Sequence, residues 1–267
     1  RLNHDPINSS LFGQGVSGRR VFVPRKEKST PMIRHRFHLR ETIATILADD
    51  EQHVEAARQG MTRARQELEH YIAGDPFFLT TFEPYSVDTG IRVVDRMSGA
   101  SVAAGVGPMA AVAGSIAWAG VEAMEEAGAS FGVVDNGGDI ALLSDREVRI
   151  GIHAGSSPFS DRYAFVTRPL PGIWAICTSS ATVGHSISLG VADAAIVYSR
   201  SPALADAWAT ALCNRVRTDD TAVVDEALLS GIEGACIIIG EWRYQKGTLP
   251  KVVKAYVRHD LITGGLW

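Results

Sequence analysis

Alternation of hydrophobic and polar residues marks several short segments of this chain, and such alternation predicts strands with one buried face. The first segment runs from Met32 to Ala48, and a bend at Arg40-Glu41 divides it into two strands. Further alternating or apolar runs lie at 147–153, 163–167, 173–177, 194–198, 235–240 and 252–257. Because these runs are short and several are separated by glycine, proline and serine, we expect antiparallel strands in meander order.

An Asn-Gly pair separates two apolar runs in the segment Val133–Leu142, which reads VVDNGGDIAL. Asn-Gly between such runs is the strongest short-range hairpin signal. The turn alone would account for Gly137 and Gly138. The same glycines would also let the main chain approach a cofactor closely, with Asp139 as a directed acceptor. Both interpretations stay open.

Helices are predicted where apolar residues recur every three to four positions. One such stretch runs from Asp50 to about Tyr71, and a shorter one from Ile91 to Met97. Another, rich in alanine and glycine, follows Pro108 and continues to Ala127, and two more span 201–215 and 221–232. Long helices set apart from meandering strands indicate an α+β fold, with a mainly antiparallel sheet and helices packed on its faces.

Each half of the chain passes from strands to helices and back to strands. This order suggests an internal duplication, although no residue-level repeat is visible. We expect one α+β domain over residues 31–267, preceded by a polar, glycine-bearing segment at 1–30 that is either a native arm or an added leader.

Asp206 and Thr210 lie four residues apart in the helix that begins after Ser201, so they share one face, one turn apart. A carboxylate and a hydroxyl at that spacing supply two hard oxygen ligands, which Mg²⁺ or Ca²⁺ prefers. The alternative is structural: an Asp stabilised near the helix start, and a Thr that bonds back to its own helix.

Two glycines, Gly105 and Gly107, stand just before Pro108 at the predicted start of the small-residue helix. A helix N-terminus preceded by glycines can present free N–H groups to a phosphate; close helix packing is the alternative. Gly105-x-Gly107-x-x-Ala110 also fits a dinucleotide fingerprint. That fingerprint requires a buried strand before its first glycine, and residues 98–102 do not resemble one, so we do not expect an NAD site.

A loop rich in hydroxyl groups follows the strand that ends at Cys177; it contains Thr178, Ser179 and a single histidine, His185. A serine–histidine nucleophilic pair would require a nucleophile elbow. No serine of the loop lies in such a pattern, so we do not expect that chemistry.

The composition is that of a globular chain, with 267 residues, 46% hydrophobic and 21% charged, and a formal net charge of −4. A basic segment between Arg19 and Arg40 lacks regularly interleaved aromatic residues, and we interpret it as a solvated arm or strand face rather than a nucleic-acid site. Cys177, Cys213 and Cys236 lie in apolar runs and indicate buried thiols. With no apolar run of membrane-spanning length and no signal-peptide pattern, we expect no membrane partner and a cytoplasmic protein.

Taken in order, the segments VGPMAAVAG, VDNGGDI, the Thr-Ser loop with His185, and ADAAIVYSRSPALADAWATAL resemble the ApbE-like superfamily. Its best-known members are FAD:protein FMN transferases, and the closest likeness is to an uncharacterised branch. The resemblance is specific from about Gly105 to Leu212. It implies a duplicated T-fold-like α+β sandwich, a flavin or nucleotide ligand and a protein acceptor. Separately from the resemblance, a homodimer is one expected assembly.

The resemblance also implies roles for individual residues. Asp206 and Thr210 match the positions that hold Mg²⁺ in the transferases, and His185 and Asp206 are the expected catalytic residues. The expected FAD-binding residues are Gly105, Gly107, Asn136, Gly137, Gly138, Asp139, Thr178, Ser179 and His185.

The chain departs from the transferase pattern at three points. No lysine accompanies Gly105-Val106-Gly107-Pro108, the hairpin asparagine of the transferases aligns with Asp135, and Ser186-Ile187-Ser188 stands where Asp-Pro follows the histidine. Three hypotheses therefore stay open. The protein is a Mg²⁺-dependent flavin- or nucleotide-processing enzyme that transfers FMN from FAD, a non-catalytic flavin or nucleotide carrier, or an interaction protein whose glycine motifs are structural.

Overall fold

The computed structural model describes residues 32–182 and 190–257. Strands and helices follow one another closely, and a 3₁₀ turn at Pro108–Ala111 precedes the fourth helix. The strands are β1 (Ile33–Leu39), β2 (Thr42–Ala48), β3 (Phe131–Asn136), β4 (Asp139–Ser144), β5 (Val148–Gly151), β6 (Tyr163–Thr167), β7 (Leu170–Ser179), β8 (Ala194–Ser199), β9 (Gly234–Ile239), β10 (Trp242–Gly247) and β11 (Lys251–Lys254). The helices are α1 (Glu51–Gly74), α2 (Pro76–Thr80), α3 (Arg92–Ala104), α4 (Val112–Glu126), α5 (Pro202–Arg215) and α6 (Ala222–Leu229).

Eight of these strands form one antiparallel sheet in the order β1-β2-β3-β4-β7-β8-β9-β10. In the first half, β2 pairs with β3 although α1 to α4 lie between them in sequence. In the second half, β8 pairs with β9 across α5 and α6 in the same way. Each half is thus a four-stranded unit with a helical insertion after its second strand, which confirms the predicted duplicated α+β sandwich.

Two hydrophobic clusters cover the two faces of this sheet. Because side chains alternate along a strand, Val134 belongs to the cluster that contains the helices, whereas Val133 belongs to a cluster built from strands and their connections. A small sheet in the order β11-β6-β5 supplies residues such as Phe165 to the second cluster. The main sheet therefore lies between a helical layer and a small second sheet.

The helical layer forms where small residues allow close approach. Asp50 caps α1 by accepting the N–H of Gln52 at 2.8 Å. α1 then crosses α4 at Gly60, where an added Cβ would lie 2.4 Å from the carbonyl oxygen of Ala119. The alanine and glycine content of α4 is thus explained by close helix packing.

Some sequence-based expectations need correction. α3 continues beyond Met97 to Ala104, so a helix and not a strand precedes Gly105, which removes the dinucleotide fingerprint. The segment Phe77-Phe78-Leu79, whose apolar run predicts a core anchor after the turn at Gly74-Asp75-Pro76, lies in the short helix α2. Only Phe78 is buried, whereas Phe77 and Leu79 are 56% and 47% exposed. The strand β10 was not expected at all.

Within residues 32–182 and 190–257, no helix alone combines the length and the apolar character that a membrane span requires. By length and composition only, α3 and the segment Pro108–Glu126 meet the criteria together, as a pair bent by 107°.

Candidate functional site

The β3–β4 hairpin turns through Gly137 and Gly138, both with positive φ, at 72° and 102°. Asn136 and Asp139 face each other across this two-residue turn. The N–H of Gly138 donates to Oδ1 of Asp135 at 2.9 Å, which fixes the turn from the preceding strand. A turn with two positive φ values favours glycine, so the hairpin itself requires the glycine pair.

Asn136 connects this hairpin to the helical layer. Its side chain is buried, and Nδ2 donates to the carbonyl oxygen of Ala113 at 3.1 Å. Ala113 lies in the first turn of α4. The end of β3 and the beginning of α4 are therefore held together by a side-chain amide.

Asp206 reaches the same turn of α4 from α5. The residue is 7% exposed, and its Oδ2 accepts the N–H of Gly114 at 2.8 Å. The N-cap residue of α4, Ala111, has no side-chain acceptor to offer. Asp206 thus supplies this acceptor from α5. A carboxylate at the N-terminus of α4 also interacts favourably with the dipole of α4.

The approach of the two helices at this point is very close. An added Cβ at Gly114 would lie 2.4 Å from the carbonyl oxygen of Pro202 and 2.8 Å from Cβ of Asp206. Both distances are well below ordinary van der Waals contact. The absence of a side chain at Gly114 is therefore a condition for the hydrogen bond to Asp206.

Asp139 brings a second carboxyl group to the site. Burial raises the pKa of Asp139 well above its usual range, and the negative charges of Asp206 and Asp135 raise it further. Its Oδ1 is shielded from solvent and makes no hydrogen bond to the described residues. Oδ1 is thus a buried acidic oxygen without a donor among the described residues, a costly arrangement in a folded protein. Hydrogen bonds to the carboxyl group from the main chain of Thr178 and the thiol of Cys177 oppose part of the rise in its pKa.

The two carboxyl groups affect each other although 67 positions separate them in the sequence. Burial raises the pKa of Asp206 to about 7, and the hydrogen bonds from the main chain of Gly114 and Ala113 oppose that rise. Two buried carboxyl groups in one place resist simultaneous ionisation. At neutral pH the pair therefore favours a state in which one carboxyl group keeps its proton or a cation is bound.

Cys177 completes this acidic cluster, which we define as Asp139, Asp206 and Cys177. The thiol is fully buried and lies opposite Asp139 in the pairing of β4 with β7. Burial raises the pKa of Cys177 well above its usual range, and Asp139 and Asp206 add to the effect. Its Sγ donates to the carbonyl oxygen of Pro202 at 3.7 Å. Sequence reasoning found only a buried thiol here, because no local signal reports the proximity of the two acids.

The comparison with known proteins gives the family. Residues 25–228 match the family described as "AbpE bacteria". The chain belongs to this family. It is 55% identical over 234 residues to the UPF0280 protein of Methanosphaerula palustris, covering 88% of this chain and 99% of that relative. It is 57% identical over 234 residues to the UPF0280 protein of Methanoculleus marisnigri, covering 88% and 96%.

Solved structures agree with this ApbE-like assignment. The chain is similar to the apo form of Pseudomonas stutzeri flavinyl transferase ApbE, with a TM-score of 0.54, 13% identity, and coverage of 88% of this chain and 98% of that one. It is also similar to the flavin transferase ApbE from Vibrio cholerae, with a TM-score of 0.51, 14% identity, and coverage of 81% and 97%. At such low identity the likeness establishes the fold, and the expected ApbE-like α+β fold is confirmed.

Within this ApbE-like fold, the strand end Thr178-Ser179 lies beside the hairpin. Both residues are half-buried, and an added Cβ at Gly138 would lie 3.9 Å from the carbonyl oxygen of Thr178. Several residues expected to bind a cofactor thus come together with Asp206. His185 lies outside the described residues, so its role stays a prediction.

Thr210 follows Asp206 by one turn of α5 and is half-buried. The described ranges contain no group of three or more His, Cys, Asp or Glu side chains that could hold a metal ion. The acidic cluster supplies two carboxyl groups, with the hydroxyl of Thr210 on the helix that carries one of them.

The backbone conformation explains Gly105, and close chain packing explains Gly107. Gly105 ends α3 in a left-handed conformation, and its N–H donates to the carbonyl oxygen of Ser101 at 2.9 Å. At Gly107 an added Cβ would lie 2.0 Å from the carbonyl oxygen of Thr81. Since Asp206 accepts an N–H in the first turn of α4, that helix start already has an anionic partner. A phosphate contact by these two glycines stays a prediction.

Proposed function

We propose that this protein is a Mg²⁺-dependent flavin- or nucleotide-processing enzyme that transfers FMN from FAD, with its site at the acidic cluster. The observation that carries the proposal is the buried Oδ1 of Asp139, which has no donor among the described residues and interacts electrostatically with Asp206. Similarity of fold to solved flavin transferases supports the flavin part.

The two carboxyl groups of this cluster, together with the hydroxyl of Thr210 on α5, suit Mg²⁺. Mg²⁺ prefers oxygen ligands and is commonly held by one or two carboxylates together with the phosphates of its substrate. Asp139 and Asp206 would supply the carboxylates and Thr210 a neutral oxygen. A bound cation would also relieve the repulsion between the two carboxylates.

In this mechanism, residues of the chain position the pyrophosphate of FAD. Gly137 and Gly138 carry no side chains, so a ligand can approach the hairpin main chain, and the hydroxyls of Thr178 and Ser179 would donate to phosphate oxygens. When bound, Mg²⁺ would neutralise charge that develops on the phosphoryl group.

The bond between the FMN phosphorus and the bridging oxygen breaks, and AMP leaves with that oxygen and its electron pair. A threonine hydroxyl of an acceptor protein forms the new P–O bond. His185, one of the expected catalytic residues, would take the hydroxyl proton.

A second candidate function is non-catalytic binding of a flavin or nucleotide. It is favoured by the hydrogen bond between Asp206 and Gly114, since a carboxylate that caps α4 also has a purely structural role. The missing lysine and Asp-Pro pair of the transferase pattern point the same way.

Incubation of the purified protein with FAD and Mg²⁺ separates these functions. AMP release that is detected by chromatography in Mg²⁺ and is absent in EDTA supports the transferase function. Tight FAD binding without AMP supports the carrier and contradicts transfer. If FAD does not bind in either metal state, both functions are wrong and the protein is better described as an interaction protein. Thr210→Val should reduce AMP release, whereas Thr80→Val, on α2, should leave it unchanged.

A further inference from the structure

A groove of about 480 Å³ lies among α1, α4 and the beginning of α3. This volume is within the usual range for small-molecule sites. Ser115 of α4 lines this groove, whereas the neighbouring Gly114 contacts Asp206. Consecutive helical residues point about 100° apart, so the groove and the acidic cluster use different faces of α4.

The N-terminus of α3 opens into this groove. Gly90, Ile91, Arg92 and Val93 all line it. α3 is 13 residues long, and its N-cap residue Ile91 offers no side-chain acceptor. Within the described ranges, the N–H groups of Arg92 and Val93 find no acceptor. Unsatisfied N–H groups at the positive end of a helix favour an anion.

Charged side chains of both signs surround this helix end. Asp95 lies in the first turn of α3, and its Oδ1 accepts the N–H and the hydroxyl of Thr89, each at 2.8 Å, so this carboxylate is already engaged with the preceding loop. Arg96 is bound to both carboxylate oxygens of Glu122, at 2.6 and 2.7 Å, so it is already neutralised. Arg92 is 66% exposed and lies 3.6 Å from the same carboxylate. Arg63 of α1 also lines the groove, together with the exposed glutamates Glu67 and Glu126. The arginines suit a phosphate, and the glutamates suit hydroxyl groups of the same ligand.

An independent observation comes from Ser115. This serine is 1% exposed, yet its Oγ makes no hydrogen bond within the part of the chain that the structure describes. A helical serine often satisfies its hydroxyl on the carbonyl one turn earlier, and here that bond is not made. A buried polar atom without a partner at the wall of a cavity is expected where a ligand supplies the partner.

We propose that this groove binds a small phosphorylated polyol or sugar, with its phosphate at the N-terminus of α3 and between Arg63 and Arg92. The hydroxyl of Ser115 bonds the bound ligand. This site is separate from the proposed flavin site, and neither depends on the other.

The test is calorimetric titration of the full chain with ribose 5-phosphate, inorganic phosphate and ribose. Ribose 5-phosphate should bind saturably and more tightly than ribose. Arg63→Gln should weaken it about tenfold or more, as expected for a lost charge-assisted hydrogen bond. Arg58→Gln, on the same helix but outside the groove, should leave the affinity unchanged.

Ser115→Ala distinguishes a binding role from a structural one. Because the hydroxyl has no partner among the described residues, the variant should unfold at the same or a higher temperature and yet bind ribose 5-phosphate more weakly. A lower unfolding temperature with unchanged affinity would assign Ser115 to the fold and overturn the proposal. So would the absence of saturable binding by ribose 5-phosphate and phosphate, or equal losses in Arg63→Gln and Arg58→Gln.

Discussion

Asp206→Asn separates the charge of the buried carboxyl group from its hydrogen bond. Asparagine keeps an oxygen that can accept the N–H of Gly114, so the start of α4 stays capped. The variant removes the titration. Burial raises the pKa of Asp206 to about 7 in the folded chain, against about 3.9 for an aspartate in an unfolded chain.

The sign of the pH effect follows from these two values. Because the folded pKa is the higher one, the folded protein keeps a proton at intermediate pH that the unfolded chain has released. The stabilising contribution of this proton is fully present below about pH 4 and is lost as the pH rises to about 7. A difference of one pKa unit corresponds to about 1.4 kcal/mol. The ionisation of Asp206 as the pH rises through this window should therefore lower the free energy of unfolding by about 4 kcal/mol.

Urea unfolding followed by circular dichroism, without divalent cations, measures this effect between about pH 4 and pH 8. The wild-type protein should lose stability with rising pH relative to Asp206→Asn. Asp219→Asn, which changes an exposed aspartate, should follow the wild type. If the curves of wild type and Asp206→Asn run parallel, Asp206 does not carry a raised pKa and the buried acidic pair is wrong.

Three further predictions concern the same region. Gly114→Ala should destabilise the protein by about 1–3 kcal/mol through overpacking. Gly99→Ala, a control in α3 with open space around it, should instead stabilise the protein by up to about 1 kcal/mol. Equal effects of the two substitutions in urea unfolding would contradict the close crossing of α4 and α5. Asn136→Ala should cost about 0.5–1.5 kcal/mol in the same assay because the side-chain hydrogen bond to the carbonyl oxygen of Ala113 is lost. An unchanged midpoint would remove that bond from the account. At pH 8 without Mg²⁺, Asp139→Asn and Asp206→Asn should each raise the free energy of unfolding, because each removes one of two buried carboxylates that repel each other. The double variant should gain less than the sum of the two single gains. Strict additivity would show that the two carboxyl groups do not interact.

The fold was largely predictable because its signals are local. The Asn-Gly turn identifies the β3–β4 hairpin, and alternation identifies the strands on either side of Arg40-Glu41. β10 was missed because it is an edge strand whose partly buried aromatic residues, Trp242 and Tyr244, are surrounded by polar ones. Edge strands carry a weaker burial pattern than central ones.

The site was predictable only in part because its contacts are tertiary. The spacing of Asp206 and Thr210 is visible in the sequence, but the contact of Asp206 with Gly114 depends on how α4 and α5 cross. The same contact changes what Asp206→Ala would do. That variant, which on spacing alone would remove only metal binding, also uncaps α4 and should destabilise the fold by about 0.5–2 kcal/mol.

Calorimetric titration of FAD into the protein, in Mg²⁺ and again in EDTA, tests the central claim most directly. The account predicts FAD binding that is stronger in Mg²⁺ for the wild type, a loss of the Mg²⁺ dependence in Asp139→Asn and in Asp206→Asn, and no change in Asp219→Asn. FAD affinity that is the same in Mg²⁺ and EDTA, or a Mg²⁺ effect that survives both substitutions in the acidic cluster, would contradict it.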